Sequence, residues 1–187
     1  MSAANQLARP ITVAEFLAAT LEGDRQELIE GMAHAMAPAA PRHGAIAAQL
    51  ARLLGNHLDG LPHCQVVIEP GVQPRVRADI NVRIPDLAIT CTPIGPDDRL
   101  LREPTVLIEV LSPSNQKDTW GNVWAYTTIP SVRDILVLYT AEPRADLLTR
   151  QPDGTWPDNP LSLTLGDNVE LESIDFAVPL AAFFRTT

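Results

Sequence analysis

Val106-Leu107-Ile108-Glu109-Val110-Leu111 decides the fold. Six residues, five of them apolar and rich in branched side chains, end at Ser112-Pro113. That pattern reads as a strand buried on both faces. Side chains alternate along a strand, so Val106, Ile108 and Val110 point one way and Leu107, Glu109 and Leu111 the other. Glu109 therefore sits among leucines, where a carboxylate costs free energy unless a proton, a donor set or a cation compensates it. A second stretch has the same character: Ile84-Pro85-Asp86-Leu87-Ala88-Ile89-Thr90 puts Asp86 at the entry of another apolar strand, on the face of Ile84 and Ala88. If the two strands are neighbours, both carboxylates face a common point at sheet level.

Working outward, Thr12-Val13-Ala14-Glu15 is a capping box that starts a short helix over 13–20, with Phe16 and Leu17 inward. The run from Glu27 to Met36 alternates around Gly31 and reads as a tight hairpin whose first strand carries Glu27. Pro38 and Pro41 bracket a loop delivering His43 to a helix over 44–58, striped by Ile46, Leu50, Leu53, Leu54 and Leu58. Strands are expected at 65–69, 72–76, 84–90, 105–111 and 134–140. A helix over 118–127 carries Trp120, Val123, Trp124 and Tyr126. A hairpin is expected from 145–150 and 155–156 around Pro152-Asp153-Gly154, then a strand at 169–173 and a short amphipathic stretch at 180–184. Helices interleaved with strands predict an α/β (α+β) fold, a mixed sheet flanked by helices, in one domain over 1–187.

Bulk properties narrow the classes of function. The 187 residues suffice for a core of their own, and 45% hydrophobic content argues against disorder. No apolar run approaches the roughly 20 residues needed to cross a bilayer. The first residues lack the pattern of a signal peptide, which predicts a cytoplasmic protein. Cys64 and Cys91 have no zinc spacing, and in a reducing compartment they read as two small core residues rather than a disulfide or ligand pair. A formal charge of -9 disfavours non-specific nucleic-acid binding, which rests on Lys and Arg contacts to phosphates. It leaves room for a nuclease, because metal-holding carboxylates add to the negative count.

Oxygen ligands such as Asp86 and Glu109 suit Mg²⁺ or Mn²⁺. An ion there would polarise a phosphoryl group and activate water. Each residue alone has an ordinary reading: Asp86 as a turn residue after proline, Glu109 as a partner of an arginine, Glu27 as an exposed strand residue, His43 as a helix-start residue. Together they form a coherent set. Trp120 and Trp124, four apart on one helix face, read as core or subunit packing. Arg75, Arg77 and Arg83 alternate as a solvated face, with a phosphate-binding strip as the alternative.

Glu27-Leu28-Ile29-Glu30-Gly31, Ala37 to His43, Ile84-Pro85-Asp86, Glu109-Val110-Leu111-Ser112-Pro113-Ser114, Asp118 and Tyr126 resemble the Uma family, restriction-endonuclease-like proteins of the PD-(D/E)XK superfamily. The resemblance spans nearly the whole chain. It implies a restriction-endonuclease-like core and Mg²⁺-dependent (or Mn²⁺-dependent) hydrolysis of DNA phosphodiester bonds. Asp86 and Glu109 would be metal ligands, Glu27 a third carboxylate ligand, and His43 a neighbour in the same cleft. By analogy with nucleases that cut both strands, it implies a homodimer. Two departures stand out. The superfamily lysine two residues after the glutamate is Leu111 here, and the lysine that Uma proteins carry four residues beyond an aspartate is Asn122. Lys117, the only lysine in the chain, is the remaining candidate for that catalytic charge. The alternatives are a degenerate member serving as a binding or assembly module, and another metal-assisted hydrolase with a small substrate.

Overall fold

The computed structural model describes residues 9–20, 25–113 and 116–184, with the side chains of Gln116 and Lys117 outside the described set. Ten strands and three α-helices run in the order α1 (Val13–Ala19), β1 (Gln26–Ile29), β2 (Met32–Ala35), α2 (Pro41–Leu58), β3 (Gln65–Ile68), β4 (Leu87–Thr90), β5 (Pro104–Leu111), α3 (Gln116–Tyr126), β6 (Asp134–Tyr139), β7 (Ala145–Thr149), β8 (Leu161–Leu163), β9 (Asn168–Leu171) and β10 (Phe176–Pro179). The centre is a six-stranded sheet in the order β3-β4-β5-β6-β7-β8. Only β5 and β6 pair in parallel; the other neighbours are antiparallel. A parallel pair needs a crossover, and α3 supplies it. The expected mixed sheet flanked by helices is the fold.

Alternation on β5 sorts the two layers as the sequence requires. Val106, Ile108 and Val110 join Leu87, Ile89, Leu136 and Leu138 beneath the α2 stripe of Ile46, Leu50, Leu54 and Leu58. The opposite face packs Leu107, Leu111, Ala88, Ile135 and Val137 against Val123 and Tyr126 of α3. The second layer over the α2 side is completed by the last part of the chain, including Leu171, Phe176, Leu180 and Phe183. The short β9–β10 ribbon and the 3-10 turn Leu180–Phe184 carry those residues there.

The N-terminal hairpin forms as expected. Thr12 and Glu15 cap α1 reciprocally, and Phe16 packs with Val13, Leu28 and Val82. Glu30 and Gly31 both take positive φ, 52° and 78°, the conformation of a two-residue hairpin turn. Leu28 exchanges backbone hydrogen bonds with Val82 at 2.9 Å each way, which ties the hairpin to the segment leading into Asp86.

Several expectations need correction. Val72–Val76 is not a strand; Val72 makes isolated bridges to Arg83 and Leu101, because the Pro74 and Arg77 turns interrupt pairing. The hairpin around Asp153-Gly154 does not form, since β7 pairs with β6 and β8 instead, leaving Thr155 and Trp156 outside any strand. β8 and β10 were not foreseen: Leu161–Leu163 and Phe176–Pro179 are too short for periodicity to show. Cys64 and Cys91 are not separate core thiols but a disulfide. Gln65 pairs with Thr90, so one step further along the antiparallel register sets the two cysteines opposite each other, a contact that spacing in sequence cannot reveal. Among the described residues, no helix is long and apolar enough to cross a membrane.

The hairpin's anchorage is testable. A Cβ on Gly31 would lie 2.5 Å from Pro10 Cβ, in a positive-φ position besides. Gly31→Ala is expected to destabilise the protein by about 1–3 kcal/mol, read as a lower urea midpoint.

Candidate functional site

The register of β4 and β5 brings the two carboxylates together. Leu87 pairs with Ile108, and one further antiparallel step places Asp86 opposite Glu109 on the α3 face. Val110 N–H donates to Asp86 Oδ2 at 2.7 Å, so the pairing is closed by the acid's own side chain. Asp86 and Glu109 are only 8% and 7% exposed.

Three other elements converge on this pair. Pro41 opens α2, which places His43 inside its first turn rather than on the preceding loop as expected. Its Nε2 lies 2.8 Å from Asp86 Oδ1. That bond raises the His43 pKa above the ordinary histidine value, with the Asp86 charge adding to it against burial. From α3, Tyr126 O–H donates to Glu109 Oε1 at 2.7 Å. From β1, Glu27 Oε1 accepts from the Ile84 amide at 2.9 Å and from Asn122 Nδ2 at 3.0 Å. Burial pushes Glu27 up from the ordinary carboxylate value, although the Ile84 amide, Arg83 and Asn122 all favour its charged form.

Glu109 is the most perturbed acid of the set. Burial first, then the charges of Asp86 and Glu27, drive its pKa well above the ordinary glutamate value; Tyr126 and Asn122 oppose this only in part. Among the described residues, no arginine or lysine forms an ion pair with Asp86, Glu109 or Glu27. The arginine alternative for Glu109 is thus not what the fold uses. Asp86 has the His43 imidazole as its basic partner, whereas Glu109 and Glu27 have no ion-pair partner among the described residues, and such a set of acids fits a hard divalent cation. Each Asp86 oxygen accepts one hydrogen bond and keeps a lone pair for a ligand bond. Among the described residues, Glu27, Asp86 and Glu109 do not bring one oxygen each within 4.8 Å of one another.

Both lysine-deficient positions fall inside this site. Leu111, 2% exposed, packs in the core next to Tyr126. Asn122 projects its amide between Glu27 and Glu109, a neutral donor where an ammonium was expected. The Lys117 side chain, the other candidate, lies outside the described residues. Arg83 had been read with Arg75 and Arg77 as a solvated face. Arg75 and Arg77 are exposed, and Arg77 pairs with Glu30, but Arg83 is buried. Its Nη1 donates to the Leu28 carbonyl at 2.7 Å, while its Nε is buried without a hydrogen-bond partner. The Leu28–Val82 bridge makes Glu27 and Arg83 cross-strand neighbours, which no local pattern signals. Trp120 packs against the core as expected, whereas Trp124 is 47% exposed.

Comparison with known proteins follows the same line. No curated protein matches the chain. A crystal structure described as "a putative nuclease belonging to DUF820" from Anabaena variabilis ATCC 29413 superposes with a TM-score of 0.74, covering 94% of this chain and 98% of that one at 16% identity. At that identity the likeness establishes a shared fold. The model of the Uma2 family, described as "Putative restriction endonuclease", matches residues 13–181, the span that carries every helix and strand from α1 to β10. The chain belongs to the Uma2 family of restriction-endonuclease-like proteins.

Proposed function

We propose that this protein is an Mg²⁺- or Mn²⁺-dependent endonuclease that hydrolyses phosphodiester bonds of DNA. One observation supports the reading: Glu109 is buried opposite Asp86 and near Glu27, forced toward protonation, with no ion-pair partner among the described residues. A divalent cation relieves that repulsion, and family membership supplies the chemical context. Asp86 and Glu109 are the residues that would hold the ion, with Glu27 as third carboxylate. When bound, such an ion polarises the phosphoryl group and makes water acidic enough to attack near neutral pH.

The remaining residues set the stage. Val110 N–H and His43 fix the plane of the Asp86 carboxylate, and Tyr126 O–H fixes that of Glu109. His43 can hold or release a proton at Nε2 beside Asp86. Asn122 can orient an oxygen but cannot neutralise it, so transition-state charge falls to the ion, to Arg83 beside Glu27, and to Lys117. Two copies acting on two strands, in the cytoplasm, complete the proposal.

A second reading has its own support. Asn122 is engaged with Glu27 and Leu111 is buried, so the two lysine positions hold no charge. On that basis the chain would be a degenerate member, retaining the fold as a binding or assembly module.

Nuclease assays on wild type, Asp86→Ala and Glu109→Ala separate the two. The nuclease reading expects Mg²⁺-dependent cleavage by wild type and a loss of roughly hundredfold or more in each variant. Equal activity in all three preparations identifies a contaminant and defeats it, and an inert wild type supports the degenerate module.

The raised Glu109 pKa gives two further expectations. Protons compete with the cation, so Mn²⁺ affinity measured by calorimetry should rise with pH, and less steeply in Glu109→Gln. In the metal-free protein the sign is opposite. A carboxyl whose folded value exceeds its unfolded one stabilises the fold fully below the unfolded value, and that contribution is lost as pH rises through the folded value. Glu109→Gln keeps an acceptor for Tyr126 and removes the buried charge. It should therefore be more stable than metal-free wild type at a pH above the folded value of Glu109, read as a higher urea midpoint, with the difference disappearing in acid.

A further inference from the structure

We propose that His63, Cys64 and Cys91 form a second, redox-gated metal site, taking a thiophilic divalent cation of the Zn²⁺ type when the Cys64–Cys91 disulfide is reduced. The ligand atoms of these three residues all lie within 4.8 Å of one another, which no other His, Cys, Asp and Glu triple among the described residues achieves. Two thiolates and an imidazole are the donor set that tetrahedral zinc prefers, at ligand–ligand separations of about 3.3–3.8 Å given the usual bond lengths. Side-chain rotation brings the imidazole in and parts the sulfurs to that spacing. The antiparallel register of β3 and β4 already holds the two cysteines opposite each other.

The surroundings favour an ion. His63 is exposed and provides entry, while Cys64 is buried in the apolar layer under α2, a setting that shields the sulfurs. His63 and Cys91 also line a cavity with Glu172, which leaves an oxygen donor or solvent for the fourth position. The site is separate from the carboxylates. Cys91 lies at the far end of β4 from Asp86, five residues along, or about 16 Å at the usual strand rise.

The chemistry balances. A dithiol reductant gives two electrons and two protons to the Cys64–Cys91 bond, which breaks into two thiols while the dithiol closes to its own disulfide. Binding then transfers the two thiol protons to solvent as two sulfur–metal bonds form. Oxidation of the dithiolate by a disulfide-class oxidant reverses both steps and ejects the ion. The site would thus clamp the β3–β4 edge by a covalent bond in one redox state and by a metal in the other.

Co²⁺ titration of the full chain, reduced with a dithiol that is then removed under anaerobic conditions, tests this. The expected result is stoichiometric binding with an intense near-ultraviolet sulfur-to-cobalt band, bleached by Zn²⁺ and absent from the oxidised protein. Cys91→Ser should lack the band. His63→Ala, altered at an exposed position that leaves the core intact, should bind roughly tenfold more weakly or worse. Cobalt held by carboxylates alone gives no sulfur band, so the signal reports this site. Reduced wild type without the band, a band of equal strength in the oxidised protein, or unchanged affinity in His63→Ala would overturn the proposal.

Discussion

A carboxylate enclosed in a sheet has to be matched by a proton, by donors or by a cation, and most of what is distinctive here follows from how Glu109 meets that demand. The β4–β5 register sets Asp86 directly across from it, so one buried acid is placed against another. Hairpin β1–β2 adds Glu27, and the same hairpin is tied into the strand entry by Leu28 and Val82. The Val110 amide, Tyr126 and Asn122 orient the acids as neutral donors, and His43 is the titratable group held against Asp86. Repulsion of this kind is built into the fold, and a bound cation would relieve it.

The same sheet shows the other solution. Asp134 on β6 and Asp146 on β7 are also buried. Asp146 accepts from Tyr139 O–H at 2.6 Å and Ser162 O–H at 2.7 Å, and Asp134 accepts from Thr149 O–H at 2.8 Å and from Ser173. Those acids are served by hydroxyl donors, which tie β6, β7 and β8 to one another and to Ser173. Burial alone therefore does not single out Asp86 and Glu109; what sets them apart is burial of one acid against another, and the proposed metal site rests on that difference.

Legibility tracked the range of the interactions. The α1 cap, the hairpin turn at Glu30-Gly31, the α2 stripe and the two faces of β5 each rest on residues a few positions apart, and all could be read from the chain. Strands without a periodic signal, β8 and β10, could not. Nor could the pairing choice of β7, because Gln151 to Thr155 closes a local turn while the strand itself hydrogen-bonds to β6 and β8. Arg83 looked like one of an alternating exposed set, yet the bridge to Leu28 turned it inward toward Glu27.

By itself the sequence determined which residues could not be comfortable where they sat: Asp86 and Glu109 inside apolar strands, and a site whose lysine positions carry Leu111 and Asn122. It also determined the alternation that sends Glu109 to one face, since that is a property of the extended backbone. Only the tertiary structure decided that Asp86 lies opposite Glu109, that Asn122 reaches Glu27, and that Cys64 meets Cys91 in a disulfide. Each of these depends on strand order and register. They are settled by which apolar faces can be buried together across long separations, and no local window of residues contains that information.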